Sequence, residues 1–170
     1  MIRPAQIADL PDVLRLIREL AEYEREPDAA VATIEDLHAA LFPEGTAHIF
    51  CDLVEEEGQV VGMALWFLNF STWTGQCGIY LEDLFIQPSH RGFGFGKALL
   101  AHLANRCLEQ GYPRLVWQVL DWNTPSIEFY RSLGAESMDE WITMRVTGDA
   151  LGVLAAQLKV PSSLTRNTST

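Results

Sequence analysis

Over the first forty residues, apolar positions recur at helical spacing. Leu10, Leu14, Ile17 and Ala21 fall on one face of a 3.6-residue period. Asp9 stands before them as a candidate cap and Pro11 in the first turn, where proline is tolerated. A short strand near Ile2 precedes this helix. Thr33, with Asp36 three residues on, reads as the start of a second helix with a capping-box-like pair. The period then changes. Residues 48–55 and 60–70 read as strands joined by a tight turn at Glu57-Gly58, and residues 79–86 read as a third. Helical spacing returns over 94–110, where Leu99, Leu103 and Cys107 line one face and Gly111 stands just past the end. Residues 114–120 read as a buried strand. Asn123 or Thr124 then caps a short helix that carries Pro125 in its first turn and stops at Gly134. A last strand over 140–146 and a short helix complete the pattern. Such alternation predicts an α/β (α+β) fold, a mixed central sheet flanked by helices in three layers.

Length and composition narrow the picture. At 170 residues the chain suits one domain, expected over 1–160, with the Ser- and Thr-rich residues 161–170 as a flexible tail. No apolar run reaches the roughly 18 residues a membrane helix needs, and Met1-Ile2-Arg3-Pro4-Ala5 carries no signal core, so the expected compartment is the cytoplasm. The formal net charge is −11, and the only lysines are Lys97 and Lys159. That balance argues against a nucleic-acid partner. It suits a cationic substrate, and it equally serves solubility. Cys51, Cys77 and Cys107 form neither a disulfide framework nor a zinc spacing, and His38, His48, His90 and His102 form no ligand pair. No metal is expected.

The most informative segment follows the third strand and opens the long helix: Arg91-Gly92-Phe93-Gly94-Phe95-Gly96-Lys97. Three glycines in five residues let a backbone turn tightly and approach a ligand closely. Successive amide groups at a helix N-terminus attract anions. Two better-known glycine motifs do not fit. A dinucleotide fingerprint needs glycine where Lys97 stands, and a P-loop needs glycine at Arg91 and a hydroxyl at Ala98. The remaining readings are an anion cradle and a glycine-rich turn with no ligand.

The spacing Arg91-x-x-Gly94-x-Gly96 resembles the [QR]-x-x-G-x-[GA] signature of the GCN5-related N-acetyltransferases. Tyr80-Leu81-Glu82-Asp83-Leu84-Phe85-Ile86 resembles that family's splayed central strand. Asp121-Trp122-Asn123 and the helix through Phe129-Tyr130 resemble its later half-site. Together with Ala21-Glu22-Tyr23-Glu24, these segments are most similar to the diamine branch, which includes spermidine/spermine and thialysine acetyltransferases. Ser71-Thr72-Trp73 and Leu120-Asp121-Trp122-Asn123 look closer to the thialysine type; the polyamine type usually has a carboxylate where Ser71 stands.

The resemblance implies acetyl-CoA as cosubstrate. It would be held by Leu84, Phe85 and Ile86 of the strand, by Arg91, Gly92, Phe93, Gly94, Phe95, Gly96 and Lys97 of the turn, and by Asn123 and Ser126. Asn123 reads equally well as a simple helix cap. The resemblance further implies Tyr130 as the acid that protonates the departing thiolate and Glu82 as the base. Glu82 has a second reading as a counterion for the substrate ammonium. Glu24, Trp73, Glu82 and Asp83 are the implied amine pocket. Asp83 points away from Glu82 in a regular strand and toward the site if the strand bulges. A homodimer is implied too, with residues 150–158 available to pack on a partner. Three functions remain open at this stage: acetylation of a small amine, acetylation of a protein or peptide, and binding of an acyl-CoA without catalysis.

Overall fold

The computed structural model describes residues 1–158; the expected tail at 161–170 lies outside them. The chain divides into two compact units, Met1–Leu133 and Gly134–Thr170. The first holds a five-stranded sheet in the order β1-β2-β3-β4-β5, formed by Ile2–Pro4, Ile49–Glu56, Gln59–Ser71, Gln76–Ile86 and Leu115–Trp117. The first four strands are antiparallel to their neighbours and β5 runs parallel to β4. The β2–β3 connection is the expected tight turn, with Glu57 and Gly58 both at positive φ, 49° and 79°.

Helices cover both faces. On one lie α1 (Leu10–Tyr23) and α2 (Ile34–Leu41). Leu10, Val13, Leu14 and Leu16 pack there on Leu53, Met63 and Phe85. On the other lies α3 (Phe95–Gln110), whose Leu99, Leu103 and Cys107 meet Val61, Ile79 and Leu81. The alternation along β2 and β3 feeds both cores, since successive side chains in a strand point to opposite faces. Beneath α3 one carboxylate is deeply buried: Asp52 accepts from Trp66 Nε1 at 2.8 Å and lies 3.5 Å from His102 Nε2. A short α4 (Thr124–Ser132) completes the unit.

The Thr33–Asp36 box forms as expected: Asp36 N–H donates to Thr33 Oγ1 and Thr33 N–H donates to Asp36 Oδ2. Asp9 departs from expectation. It sits at the cap position of α1, but its carboxylate accepts from Gln6 N–H and pairs with Arg3 at 2.7 Å, so it closes the turn before the helix.

Two strand expectations need correction. The strand expected over 114–120 forms only at Leu115–Trp117 and is half-buried; among the described residues it pairs only with β4, at Ile79–Leu81. Residues 140–146 form no strand, since a strand exists only through the ladder it makes with another. The second unit does contain the short helix expected after them, α5 (Asp149–Ala155), introduced by Gly148 at φ 56°.

Candidate active site

The site grows from a single irregularity in β4. Along its ladder with β3, Leu65 opposes Asp83 but Trp66 opposes Leu81, which leaves Glu82 as an extra residue. This β-bulge reverses the alternation of side chains. Ile79 and Leu81 belong to the core beneath α3, yet so do Leu84 and Ile86, while Phe85 belongs to the core beneath α1. β4 also parts from β5 at the same point, since their ladder ends at Leu81. From Glu82 to Ile86, β4 therefore has β3 on one side and no ladder on the other among the described residues. Leu84, Phe85 and Ile86 lie on this splayed stretch.

The bulge gives two adjacent carboxylates different surroundings. Glu82 is exposed. Asp83 is not, and its pKa is pushed up to about 6 by burial first and then by the charges of Glu82 and Glu24. Glu24, at the end of α1, also titrates high because it is partly desolvated. Tyr130, on α4, is pushed up to about 12 by burial and by the neighbouring Glu24 and Tyr23. Its ring packs edge-on against Trp117 at 5.0 Å, and its hydroxyl has no hydrogen-bond partner among the described residues. The fold thus gathers Glu24, Glu82, Asp83 and Tyr130 from three elements. Trp73 does not join them within one chain. It sits in the β3–β4 turn, 87% exposed, and Glu82 lies six residues up the strand from Gln76, about 20 Å at a strand's rise per residue.

The glycine turn lies at the far end of β4. Gly92 and Gly94 have φ of 85° and 87°, a conformation that side chains other than glycine's resist. A Cβ built on either would meet nothing within 4 Å, so backbone conformation, not crowding, calls for glycine at both. The adjacent space is open for a ligand. Gly96 differs: its backbone is helical, and a Cβ there would touch Phe129 at an ordinary 3.6 Å. Phe93 and Lys97 are exposed, and Phe95 is half-buried against the core beneath α3. This positive, open helix start fits the pyrophosphate of a coenzyme A thioester.

Arg91 has another task. Its Nε donates to the Ile86 carbonyl at 3.0 Å, and its guanidinium lies 4.6 Å from the ring centre of Tyr23 and 5.6 Å from that of Phe85. It clamps the end of β4 to α1. Gln87 reinforces the clamp by donating to the Glu19 carboxylate at 3.0 Å. Asn123 is buried and takes the cap role: Oδ1 accepts from Ser126 N–H at 3.4 Å and from the Tyr23 hydroxyl at 3.0 Å. Tyr23 therefore links turn, helix and cap. Its only sequence signal is its place beside Glu24.

Cys51 offers no nucleophile, since burial and the surrounding carboxylates push its thiol up to about 12. A cavity of about 170 Å³ lies elsewhere, lined in part by Phe50, Asp52, Trp66 and Arg106, and none of the carboxylate cluster lines it.

Residues 11–135, which carry the bulged strand and the glycine turn, match the acetyltransferase (GNAT) family model. The chain belongs to the GNAT family. Among similar proteins, a thialysine N-epsilon-acetyltransferase of Bos taurus is 36% identical over 167 residues, covering 92% of this chain and 98% of that protein. An L-ornithine N5-acetyltransferase of Arabidopsis thaliana is 31% identical and covers 88% and 85%. Among solved structures, an integron cassette protein of V. cholerae matches with a TM-score of 0.76 at 28% identity, over 91% of this chain and 96% of that one. This GNAT protein is an acetyl-CoA-dependent acetyltransferase. No helix among its described residues is long and apolar enough to cross a membrane.

Proposed function

We propose that the enzyme acetylates the primary amine of a small cationic substrate. The observation that carries this reading is the convergence of Glu24, Glu82 and Asp83 beside Tyr130, where β4 opens away from β5. An alkyl ammonium has a pKa of about 10.4 and cannot attack while protonated. Three carboxylates attract it, and one must remove its proton.

Acetyl-CoA supplies an activated acetyl group, its pyrophosphate held by the backbone from Gly92 to Lys97, with Leu84, Phe85 and Ile86 along its pantetheine arm and Asn123 and Ser126 beyond. Glu82, exposed at the bulge, takes the ammonium proton directly or through a water. The freed nitrogen forms its bond to the acetyl carbon as the carbon–sulfur bond breaks, and the second proton that it sheds on becoming an amide passes to solvent. Tyr130 gives its proton to the departing sulfur and is reprotonated through solvent. The products are the N-acetyl amine and free coenzyme A thiol. A phenol held near 12 stays protonated at neutral pH, and one with no internal partner is free to donate.

A second reading of the base has its own support. Asp83 titrates near 6, a value that suits a base at neutral pH. The pH dependence of kcat/KM for Glu82→Gln and Asp83→Asn separates the two. Loss of the base leaves a rate that climbs with pH, because more amine arrives deprotonated; loss of a counterion raises KM instead.

The same reading makes residues 1–160 one acetyltransferase domain, working in the cytoplasm as a homodimer without nucleic-acid or membrane partners. It rests on the resemblance to the diamine branch and on the apolar residues of α5. The deciding experiment is thiol release from acetyl-CoA with thialysine, lysine, ornithine, putrescine, spermidine and an unstructured peptide. Turnover of the peptide alone overturns the small-amine reading. Light scattering that gives a monomer at micromolar concentration overturns the dimer.

A further inference from the structure

Tyr23 is the last residue of α1, and its side chain makes contacts that α1 itself does not need. The Arg91 guanidinium lies 4.6 Å from its ring centre, and the Trp122 ring packs against it at 6.4 Å. Its hydroxyl donates to Asn123 Oδ1 at 3.0 Å. Arg91 ties this side chain to the end of β4, where Nε donates to the Ile86 carbonyl. Asn123 ties it to the start of α4. One phenol thus bridges α1, the end of β4 and the cap of the helix that carries Tyr130.

α4 depends on such a bridge. It is nine residues long and has no buried residue, and a helix that short has little stability of its own. Its cap bond, from Ser126 N–H to Asn123 Oδ1, is long at 3.4 Å, so the 3.0 Å bond from Tyr23 is the closer of the two that hold this amide oxygen. Asn123 is buried, so an oxygen that loses its nearer partner there is not freely rehydrated. Tyr130 stands about two turns along α4, on the same face as the cap. A rotation or shift at Asn123 therefore carries through to Tyr130. The Tyr130 ring is packed edge-on against Trp117, but its hydroxyl has no hydrogen-bond partner among the described residues, so only the ring's packing and the helix aim it. Tyr23 is near enough to add, after burial and Glu24, to the upward shift of the Tyr130 phenol.

We infer that Tyr23 is a positioning residue for acetyl transfer: its ring is held between Arg91 and Trp122, and its hydroxyl fixes the Asn123 end of α4 so that the Tyr130 hydroxyl meets the departing sulfur. Its effect on the reaction runs through Tyr130. The role rests on the assignment of Tyr130 as the acid and not on which amine is acetylated.

The test is a double-mutant cycle on the first turnover, followed by rapid mixing with the best acceptor of the panel above. Tyr23→Phe keeps the ring against Arg91 and Trp122 and removes only the hydroxyl. Alone it should slow acetyl transfer about 10- to 100-fold, the scale of a small misplacement of a reacting group, with KM for acetyl-CoA unchanged. In a Tyr130→Phe background the same substitution should change the rate by less than about 2-fold, because no acid remains to be placed. A thermal shift with acetyl-CoA equal to that of wild type should accompany both single variants and the double variant. Three results overturn the inference: a wild-type rate in Tyr23→Phe; equal fold-losses with and without the Tyr130 hydroxyl, as a merely structural brace gives; or a raised KM for acetyl-CoA or a lost thermal shift as the main effect of Tyr23→Phe, which assigns Tyr23 to the cofactor turn. If Tyr130→Phe itself keeps the wild-type rate, the acid assignment falls and Tyr23 has nothing to place. A full loss in Tyr130→Phe with an additive loss at Tyr23 leaves the acid standing and sinks only the role of Tyr23.

Discussion

At the start of α3, the turn from Arg91 to Lys97 is exposed and is shaped by backbone: two left-handed glycines, Gly92 and Gly94, with open space where a side chain would go. At the bulge in β4, the cluster of Glu24, Glu82, Asp83 and Tyr130 is shaped by side chains from three elements, with Asp83 and Tyr130 half-buried and shifted in pKa. The first region suits an anion by its backbone geometry and asks little of any one side chain except glycine's absence of one. In the proposed mechanism the second depends on the functional groups of its side chains rather than on their bulk. Conservative substitutions should therefore spare the first region's neighbours and cripple the second, while backbone-restricting substitutions should do the reverse.

The largest effect expected is at Tyr130. Tyr130→Phe keeps the ring against Trp117 and removes one hydroxyl, so acetyl-CoA affinity should hold while kcat falls about 10²- to 10⁴-fold. A variant with wild-type first-turnover rates in a rapid-mixing experiment would show that the proton comes from elsewhere.

Next is Gly94→Val. A β-branched residue at φ 87° resists the turn and intrudes on the ligand. Acetyl-CoA at 100 times its Kd should stabilise the wild type by about 2.7 kcal/mol, and the variant should show no such thermal shift. The control is Gly96→Ala, whose Cβ has ordinary room beside Phe129 and whose backbone is helical; it should bind acetyl-CoA nearly as well as wild type. Equal loss in both would mean that bulk, not backbone, governs the cradle.

Asp83→Asn should affect stability with a defined pH signature. The folded carboxyl titrates near 6, above its ordinary 3.8, so the folded state holds that proton more tightly than the unfolded one. Below about pH 4 the group is protonated in both states and the burial carries no electrostatic penalty. The penalty builds as pH rises from about 4 to 6 and levels off above that, at roughly 3 kcal/mol. Asparagine stays neutral throughout. The variant should therefore melt several degrees above wild type at pH 8, with the difference vanishing near pH 4. A difference that is constant across pH would mean that Asp83 is not the group being penalised.

Much of this arrangement could be read from local sequence. The apolar stripe from Leu10 to Ile17, the Thr33–Asp36 box, the Glu57-Gly58 turn and the glycines before α3 each act within a few residues, so the signal and its consequence share one window. The carboxylates and Tyr130 could be named as candidates because their residue types stand out in a recognisable frame. Their arrangement could not. The Glu82 bulge is a mismatch between β3 and β4, a relation between strands that neither strand's own periodicity records. For the same reason residues 118–120 and 140–146 carry strand-like patterns but no strand: pattern declares which face is apolar, and pairing decides whether a ladder exists. The Tyr23 hydroxyl on Asn123 joins residues a hundred positions apart. The sequence alone thus determined where the chain turns, which faces are buried and which groups are present to do chemistry. Tertiary structure decided which of those groups meet, and through burial and mutual charge it set their proton affinities, because both depend on distances between elements that no local window contains.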